Sequence, residues 1–440
     1  MIRFLKSLFP DTHPLRLTYH RARSWLSALR AGFPARRLTV IAVTGTDGKT
    51  TTVAMISHIL HQAGIRIGSV STAYFEIDGK REPNPTQKTS VAPRLLQSFL
   101  RRLVDARCTH VVIEASSHGL LQGRLLGITP TVSVITNTSK EHLDYHGSMD
   151  AYVAAKARIF QALGGHGTKV LNADDLTFQH YNTIPSEQTI AYSPAKQLKN
   201  IRANATESRA TLTLNGQPYE LTLGIPGAHN LANALCAMSA AMAIGIDPKN
   251  AAQALQSFRG AGGRMERIEA GQPFTVFVDF TVTPAAYLHT LSSARTIAGQ
   301  HRLLVLTGSC GDRMPEKRPE VGALCARFAD IVAVTNEDPY TENPEKIIDE
   351  VLAGIPQTFP RFIGQEARIQ AATLPARYCI RISDRLETIR FLFREAKPGD
   401  VVLLCGKGTD VTMMTARGQI PWNEREIAFR ELQTLGNASS

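Results

Sequence analysis

The segment from Val40 to Thr52 constrains the fold of this chain more than any other stretch. An apolar run typical of a strand (Leu38–Thr44) leads into a turn that contains Gly45 and Gly48. Lys49 and a row of threonines follow, and a helical pattern is predicted from about Thr51 to Ala63. Glycines let backbone N–H groups converge on phosphate oxygens, while a lysine and a hydroxyl at this point suit terminal phosphates and Mg²⁺. The segment predicts a nucleotide-binding loop, with an ordinary strand–turn–helix corner as the alternative.

The composition is that of a globular protein with more than one domain. A chain of 440 residues is too long for one ordinary core. Its net charge of +11 suits an anionic ligand, but arginine and aromatic residues do not alternate in any patch, so we do not expect nucleic-acid binding. The six cysteines form no Cys-x-x-Cys pair, which indicates reduced thiols in a cytosolic protein.

Strand and helix patterns alternate in two separate regions, 38–136 and 275–405. This alternation predicts an α/β protein: a P-loop central ATPase domain with a mostly parallel sheet, followed by a C-terminal Rossmann-like α/β domain. The glycine-rich segment 260–266 is the expected joint. The predicted divisions are a basic amphipathic N-terminal segment (1–38), a central ATP-binding domain (39–263) and a C-terminal Rossmann-like domain (264–440).

The N-terminal segment 1–38 contains eight Lys/Arg and one acidic residue, Asp11. Its large apolar residues fall at helical spacing among the arginines: Ile2, Leu5, Phe9, Trp25, Leu26, Leu29 and Phe33. Such a segment can lie on an anionic membrane surface. The alternative, which we favour at this point, is one or two helices packed on the next domain with the arginines in water. No apolar run reaches transmembrane length, and no secretory signal is visible.

Nine strings along the chain resemble the motifs of the Mur ligases, most closely those that add the third amino acid to a muramyl dipeptide. The strings are VTGTDGKTTT, VIEASSHGL, TNTSKEHLDYHGSMDAYVAAKARIF, GAHNLANALCA, GGRMERI, TGSCGDRMPEKRP, SDRLETI, KPGDVVLLCGKGTD and IPWNEREIA. The resemblance runs from about Val40 to Glu431 and implies an ATP-dependent, ADP-forming ligase of peptidoglycan precursor synthesis. In the implied reaction, ATP phosphorylates an acceptor carboxylate, an amino acid attacks the acyl phosphate, and phosphate leaves.

The resemblance implies a role for each matching residue. The implied catalytic residues are Lys49, Glu114, His142, Lys156 and Arg264. The implied ATP contacts are Thr44, Gly45, Thr46, Asp47, Gly48, Lys49, Thr50, Thr51, Asn233 at the adenine, Arg264 at the phosphates and Asp279 at the ribose. The implied substrate contacts are Thr89, Ser90, Ser116, Gln122, Arg124, Asp338, Tyr340, Gly406 and Asp410. Thr50 and Glu114 would hold one Mg²⁺ and His142 a second, with help from Lys156 if it is carbamylated.

Several of these residues also have ordinary structural interpretations. By itself, Lys156 reads as a solvated helix lysine; the resemblance implies a carbamate, which converts an ammonium into an anion suited to Mg²⁺. Asn233 could be a surface amide of a helix, Arg264 part of a salt bridge and Asp279 a residue of a turn. His118 is as compatible with a packed histidine as with a ligand contact.

Four positions depart from the family pattern. Asp47 stands where the family has asparagine, and Val282 stands where it has histidine. Tyr340 replaces the arginine that binds the distal carboxylate of meso-diaminopimelate, and Asp410 replaces a glutamate. The resemblance therefore does not imply diaminopimelate as the amino acid, and lysine or another amino acid is open.

Residues 1–38 do not resemble the family's UDP-binding N-terminal domain, so whether the acceptor carries UDP, a lipid or neither is open, and a lipid-linked or otherwise modified muropeptide is one hypothesis. The expected partners are a muramyl-peptide-like acceptor and an amino acid, acting with a monomeric cytoplasmic enzyme that can contact the inner face of the membrane through residues 1–38. Two alternatives stay open: a ligase for a different acid, and a catalytically weak binding protein derived from a ligase.

Overall fold

The computed structural model describes residues 12–86, 88–214, 216–363 and 375–438. The chain divides into two compact units. The first consists of Met1–Arg202, Ser208–Gly224 and Ala228–Arg259, and the second of Ala203–Glu207, Ile225–Gly227 and Gly260–Ser440. The predicted domain boundaries at 38/39 and 263/264 stay a prediction.

The first unit combines helices with an eight-stranded sheet. Its helices are α1 (Pro14–Arg30), α2 (Lys49–Gln62), α3 (Pro93–Asp105), α4 (Ser117–Leu121), α5 (Leu143–His146), α6 (Met149–Gln161), α7 (Phe178–Asn182), α8 (Pro194–Gln197), α9 (His229–Met242) and α10 (Pro248–Gln256), with a 3₁₀ turn at Pro34–Arg37. Its strands are β1 (Thr39–Thr44), β2 (Ile67–Val70), β3 (Tyr74–Ile77), β4 (Lys80–Pro83), β5 (His110–Glu114), β6 (Val132–Ile135), β7 (Thr168–Asn172), β8 (Gln188–Tyr192), β9 (Leu198–Ala203), β10 (Ser208–Leu214) and β11 (Gln217–Leu223).

The strand order in the large sheet is β4-β3-β2-β5-β1-β6-β7-β8. The six strands from β2 to β8 in this order run parallel, while β3 and β4 form an antiparallel hairpin at one edge. Val40 to Val43 in β1 are fully buried, as expected for a strand covered on both faces of a parallel sheet. Because β1 lies between β5 and β6, three parallel strands end beside one another at the carboxyl edge of the sheet.

The helix α1 confirms the helical pattern expected before the first strand. His13 caps its N-terminus by accepting a hydrogen bond from the Leu15 N–H, and Ser24 and Ala28 are buried. The expected pattern at Ile2, Leu5 and Phe9 lies outside the described residues. No helix in the described ranges is both long and apolar enough to cross a membrane.

The second unit contains a seven-stranded sheet and its flanking helices. Its strands are β12 (Glu266–Ile268), β13 (Thr275–Asp279), β14 (Leu303–Thr307), β15 (Ile331–Val334), β16 (Arg361–Ile363), β17 (Tyr378–Arg381), β18 (Val401–Cys405), β19 (Thr412–Thr415) and β20 (Gly418–Pro421). Its helices are α11 (Pro284–Ala298), α12 (Lys317–Phe328), α13 (Pro344–Ala353), α14 (Arg385–Glu395) and α15 (Glu424–Ala438).

The strand order in this sheet is β12-β13-β18-β14-β15-β17-β16, and only β12 at the edge is antiparallel to its neighbour. Buried aliphatic side chains line both faces of the central strands β14 and β18. The loops after β13, β15 and β18 therefore lie at one edge of the sheet, where α/β folds place their ligands. The strands β19 and β20 form a separate antiparallel pair.

Candidate active site

The loop after β1 folds so tightly that its glycines have no room for a side chain. Gly45 has φ 150°, and a Cβ there would lie 1.8 Å from Oγ1 of Thr136. Gly48 has φ 78°, and a Cβ there would lie 2.2 Å from Oδ1 of Asn233. Glycine is therefore required at both positions by backbone conformation and by space. The same packing brings Asn233, on α9, directly against the loop.

Lys49 and Thr50 begin α2 at the end of this loop. Lys49 Nζ donates to the Thr46 carbonyl at 2.8 Å. Thr50 Oγ1 lies 3.1 Å from each carboxylate oxygen of Glu114. The sheet register explains the second contact, because Glu114 at the end of β5 pairs with Val43 in β1. The parallel pairing of β1 with β5 thus brings together Thr50 and Glu114, two of the predicted magnesium ligands.

Thr72 is a further partner of Glu114 that the sequence did not indicate. Its backbone N–H donates to Glu114 Oε2 at 2.7 Å, and its hydroxyl lies 3.2 Å from both carboxylate oxygens. Glu114 itself is only 2% exposed. These donors hold a buried carboxylate in one orientation beside Thr50, as a site for a hard cation requires.

Lys156, on α6, is fully buried. In the described part of the chain, no atom accepts a hydrogen bond from its Nζ, which lies 4.5 Å from the centre of the Tyr152 ring. Burial lowers the pKa of Lys156 well below the usual value, and the positive charge of Lys49 lowers it further. Asp47 and Asp175 oppose this shift only in part. Burial and Lys49 therefore both disfavour the charged form of this amine.

Rings surround the other side of this region. His142 has a left-handed backbone, with φ 57°, and its ring centre is 6.3 Å from that of Tyr152. His118 packs against His142 at 4.7 Å and against Tyr145 at 3.9 Å. Burial, followed by the charge of Lys156, lowers the pKa of His146 to about 4, so His146 is neutral near pH 7. The Tyr152 ring thus neighbours both His142 and Lys156.

Asp47, the acidic departure in the loop, is anchored through its backbone. Its N–H donates to Oδ1 of Asn137 at 2.9 Å, and its carbonyl accepts from Asn137 Nδ2 and from Thr136 Oγ1. Its carboxylate is close enough to Lys156 to affect the pKa of that amine. Asp47 therefore adds negative charge at the place where the resemblance implies a carbamate.

The predicted acceptor residues form one connected network. Ser90 Oγ accepts from the backbone N–H of Ser116 at 2.9 Å and lies 3.1 Å from its hydroxyl. The Arg124 guanidinium donates to Oε1 of Gln122 at 3.0 Å and to the Ser90 carbonyl. Thr89 Oγ1 accepts from Thr72 at 2.9 Å. A small cavity lies among these residues, lined by Thr89, Ser90, Glu114 and Arg124 together with apolar side chains.

In the second unit, the predicted ATP contacts Arg264 and Asp279 are neighbours. Arg264 donates to the Phe280 carbonyl at 2.8 Å, and its guanidinium lies 4.7 Å from the centre of the Phe280 ring. Asp279 accepts from the Met265 N–H at 2.6 Å and from the Thr281 hydroxyl. Burial raises the pKa of Asp279, although Arg264 opposes the shift.

The predicted amino-acid contacts of the second unit gather around Lys407, which the sequence did not single out. Lys407 Nζ donates to Asp338 at 2.8 Å and to Asp410 at 3.2 Å. Asp338 also accepts from the Met414 N–H at 2.6 Å, and the Tyr340 N–H donates to the Met414 carbonyl at 3.4 Å. Burial raises the pKa of Asp410 to about 6, with Lys407 opposing the shift.

Gly406 and Glu337 complete this cluster. A Cβ on Gly406 would lie 2.3 Å from Oε2 of Glu337, so only glycine fits there. The Glu337 carboxylate accepts from the Cys310 thiol at 3.0 Å, and burial raises its pKa. Two carboxylates thus accept from the Lys407 ammonium, while the charges of Arg385 and Lys407 both act on the Glu337 carboxylate.

Comparison with known proteins gives the family of this chain. Residues 43–241 match the Mur ligase middle domain, and residues 263–408 match the Mur ligase, glutamate ligase domain. The UDP-N-acetylmuramyl-tripeptide synthetase of Roseiflexus sp. (strain RS-1) is 35% identical over 429 residues, which are 93% of this chain and 82% of that protein. The chain belongs to the Mur ligase family.

Further relatives agree with this assignment. The UDP-N-acetylmuramoyl-L-alanyl-D-glutamate–2,6-diaminopimelate ligase of Chlorobaculum tepidum is 34% identical, covering 88% of this chain and 75% of that protein. A solved ligase of the same name has a TM-score of 0.63 at 26% identity, covering 95% of this chain and 83% of its own. Folylpolyglutamate synthase of Mycobacterium tuberculosis, at 17% identity and a TM-score of 0.68, covers 94% of both chains and shares the fold.

As a Mur ligase, the chain is an ADP-forming acid–amino-acid ligase of a family that is ATP-dependent and acts in peptidoglycan synthesis. The predictions of family, fold class and enzyme class are therefore confirmed. The individual site residues and their roles stay predictions.

The structure permits one test of whether the Mur ligase residues fit a metal. Among the described residues, His, Cys, Asp and Glu form no group of three or more that could hold an ion. The implied set differs in kind, since it uses the hydroxyl of Thr50 and a modified Lys156 beside Glu114 and His142. The buried amine of Lys156, which has no hydrogen-bond acceptor, fits this set because a carbamate would supply the missing oxygen ligands.

Several residues that shape the Mur ligase site were not recognised from the sequence. Thr72, Tyr152, Asn137 and Lys407 belong to this group. Tyr152 and Asn137 lie inside one string that resembles the family, and Lys407 lies between two glycines of another such string. The resemblance could therefore have indicated all three as residues of the site. Thr72 stands in no such string, and only the pairing of β2 with β5 brings it to Glu114.

Proposed function

We propose that this chain joins an amino acid to the carboxylate of a muramyl-peptide acceptor, using ATP and Mg²⁺. The acceptor carboxylate attacks the terminal phosphorus of ATP, which releases ADP and forms an acyl phosphate. The amino group of the amino acid then attacks the acyl carbon, loses a proton and expels phosphate. The observation that carries the proposal is the fully buried amine of Lys156, which has no hydrogen-bond acceptor among the described residues and whose pKa is lowered by burial and by the charge of Lys49.

The loop after β1 supplies the cationic side of this chemistry. Lys49 and the loop N–H groups would hold the ATP phosphates, since the positive φ of Gly45 and Gly48 lets the loop turn tightly enough for its N–H groups to converge. Thr50 and Glu114 would hold Mg²⁺, which neutralises charge that develops on the transferring phosphate. Thr44, Thr46, Asp47 and Thr51 remain proposed ATP contacts of the same loop, Asn233 the adenine contact, and Arg264 and Asp279 the contacts of the second unit.

Lys156 is proposed to act as a carbamate. Its neutral amine would add to CO₂ and lose one proton, which turns a buried group without an acceptor into an anion. Such an anion can bind Mg²⁺ and pairs with Lys49 electrostatically, whereas an ammonium at this point would repel both. His142, across the Tyr152 ring, is the proposed protein ligand of the second Mg²⁺.

The acceptor is proposed to lie against the network of Thr89, Ser90, Ser116, Gln122 and Arg124. Arg124 is the residue suited to a carboxylate, because a guanidinium offers two parallel N–H donors. Burial lowers the pKa of Arg124, and the charge of Arg23 acts in the same direction. An anionic acceptor group would relieve both penalties, which supports the assignment.

The amino acid is proposed to bind the cluster of Asp338, Tyr340, Gly406 and Asp410. The carboxylates of Asp338 and Asp410 that accept from Lys407 favour a ligand with a cationic side chain over one with a second carboxylate. Tyr340, in place of the family's arginine, supports the same preference. We therefore propose lysine, or a similar diamino acid without a distal carboxylate, rather than meso-diaminopimelate.

The enzyme is further proposed to be a monomer in the cytoplasm, with a peripheral contact to the inner face of the membrane through residues 1–38. Light scattering of the purified chain tests the monomer, and a mass of twice 48.1 kDa would contradict it.

The central experiment measures phosphate release with muramyl dipeptides, linked and not linked to UDP, in the presence of lysine, ornithine or meso-diaminopimelate. We expect release that requires both the acceptor and a cationic amino acid, and a new amide detected by mass spectrometry. Lys49→Ala should abolish it, while Lys196→Ala, an exposed lysine of the same unit, serves as the matched control.

Two outcomes would contradict parts of this proposal. ATP turnover that does not depend on any muramyl peptide would indicate that the acceptor is another acid. A product formed with meso-diaminopimelate alone would refute the preference for lysine. Tyr340→Arg sharpens the second arm, because a new guanidinium should raise the use of meso-diaminopimelate if the position governs selection.

A further inference from the structure

The helix α1 exposes a continuous apolar surface on its outward side. Five large side chains, here called the outer stripe, are between 40% and 61% exposed: Leu15, Tyr19, Trp25, Leu26 and Leu29. In a helix with 3.6 residues per turn, one face carries Leu15, Tyr19, Leu26 and Leu29. Trp25 lies one turn before Leu29. The spacing therefore lines up the five residues along the helix axis.

The opposite side of α1 packs on the first unit. A Cβ on Gly127 would lie 2.5 Å from the Ala28 Cβ, and one on Gly123 would lie 2.8 Å from Cγ of Arg21. Ser24 on the same side is buried. The helix is thus fixed through its small residues, and packing on the first unit does not account for the outer stripe.

Positive charge lies beside this stripe along the whole helix. Arg16, Arg23 and Arg30 recur at intervals of seven residues, so they form a row next to the apolar side chains. Residues 12–38 contain six arginines and no acidic residue, and Arg36 and Arg37 in the following turn are exposed. A row of one sign beside an apolar stripe is the pattern of a helix that lies in a membrane interface.

We propose that the outer stripe and its row of arginines dock the enzyme peripherally on an anionic phospholipid bilayer. Leucines can enter the boundary between headgroups and acyl chains, tryptophan and tyrosine favour that boundary, and arginines pair with anionic headgroups. Residues 1–11, outside the described range, have the same composition, with Ile2, Phe4, Leu5, Leu8 and Phe9 around Arg3 and Lys6. The occupant of this surface is lipid, since the charges complement an anionic headgroup layer.

Docking would also bring the acceptor network to the membrane, a consequence that rests on the proposed function. Arg21 packs over Gly123, which lies between Gln122 and Arg124. A helix is about 10 Å in diameter, so a bilayer in contact with the outer stripe lies on the order of one helix diameter from this loop. Such an arrangement suits an acceptor that is itself attached to the membrane.

Flotation of the full chain with vesicles tests the docking surface. We expect the protein to float with equimolar phosphatidylcholine and phosphatidylglycerol, not with phosphatidylcholine alone, and less as salt rises. Trp422→Phe leaves Trp25 as the sole tryptophan, and its emission should shift to shorter wavelength on the anionic vesicles.

Matched variants separate this surface from general adhesion. Leu26→Gln with Leu29→Gln should weaken vesicle binding by about tenfold or more, because two apolar contacts with the interface are lost. The control is Leu176→Gln with Leu288→Gln, two leucines exposed elsewhere, and it should bind as the parent does. In the charge variant, glutamine replaces Arg16, Arg23 and Arg30. In its control, glutamine replaces three exposed cationic residues elsewhere, Lys196, Lys199 and Arg202.

Three results would overturn the proposal: no flotation with anionic vesicles, equal losses in the stripe and control variants, or no shift in Trp25 emission. ATP turnover with a soluble acceptor is measured on the same preparations. Leu26→Gln with Leu29→Gln should retain that turnover, so loss of docking and failure of the ligase function are distinguishable.

Discussion

Two buried lysines, one in each unit, show how differently the same side chain can be used. Lys156 is fully buried and Lys407 is 1% exposed. Burial favours the neutral amine at both positions. Yet the pKa of Lys156 lies well below its usual value, whereas the pKa of Lys407 is raised because the charges of Asp410 and Asp338 outweigh burial.

The difference lies in the neighbours of each amine. Lys407 donates to two carboxylates, while Lys156 has Lys49 as the charged group with the strongest effect on its pKa. An ammonium paired with carboxylates organises a binding site, and a neutral amine without an acceptor is open to chemistry. The comparison therefore favours a structural role for Lys407 and agrees with the proposed reactive role of Lys156.

The largest expected effect tests the reactive role. Lys156→Ala should lower kcat by about a thousandfold, or about 4 kcal/mol of transition-state stabilisation, because the anion near Mg²⁺ is lost. Lys156→Met, which keeps most of the buried stem, should lower kcat in the same way with little change in melting temperature, since the deleted amine has no hydrogen-bond acceptor in the described residues. Steady-state kinetics and calorimetry measure the two quantities.

Chemical rescue provides the control for this variant. Acetate or propionate should restore part of the activity of Lys156→Ala by replacing the carbamate, and should leave Lys49→Ala inactive. A Lys156→Met variant that melts much lower, or a Lys156→Ala variant that small carboxylates do not rescue, would break the contrast between the two lysines.

Lys407→Met should affect stability most. It leaves two buried carboxylates without their counterion, so unfolding should require about 3–5 kcal/mol less. Urea denaturation measures the loss. Adding Asp338→Asn should recover part of it, and a single variant as stable as the parent would show that the pair does not organise the cluster.

The smallest expected effect is a pH dependence at Asp410. Its raised pKa of about 6 makes the carboxyl neutral below that pH and anionic above it. If the anion binds an amino group, the KM for the amino acid should rise by up to about tenfold per pH unit below 6. Asp410→Asn should give a high KM without this dependence, and equal pH profiles for the two proteins would remove Asp410 from the binding site.

Much of the fold could be predicted from the chain. The expected strand Leu38–Thr44 is β1 from Thr39 to Thr44, and the helix expected from about Thr51 begins at Lys49, because Gly48 already adopts the left-handed conformation that ends the loop. The membrane-or-packing question at α1 has a mixed outcome. The helix packs on the first unit, as favoured, and it also exposes the outer stripe, since a helix has more than one face.

The site was predictable to a different degree in its parts. Lys49, Thr50 and Glu114 were recognised because each stands in a motif at a strand end, and the structure brings them together. Thr72 was missed because its contact with Glu114 depends on the pairing of distant strands. Lys407 was passed over because a lysine between glycines gives no indication of two carboxylates 69 and 3 residues away.

The sequence by itself determined the phosphate loop, the alternation of strands and helices, and the residue types available for chemistry. Only the tertiary structure decided the charge state and the surroundings of those residues. Lys156 and Lys407 are the same type of residue, yet their pKa values shift in opposite directions. The physical reason is that burial and Coulomb interactions depend on distances between residues remote in the chain, which no local pattern specifies.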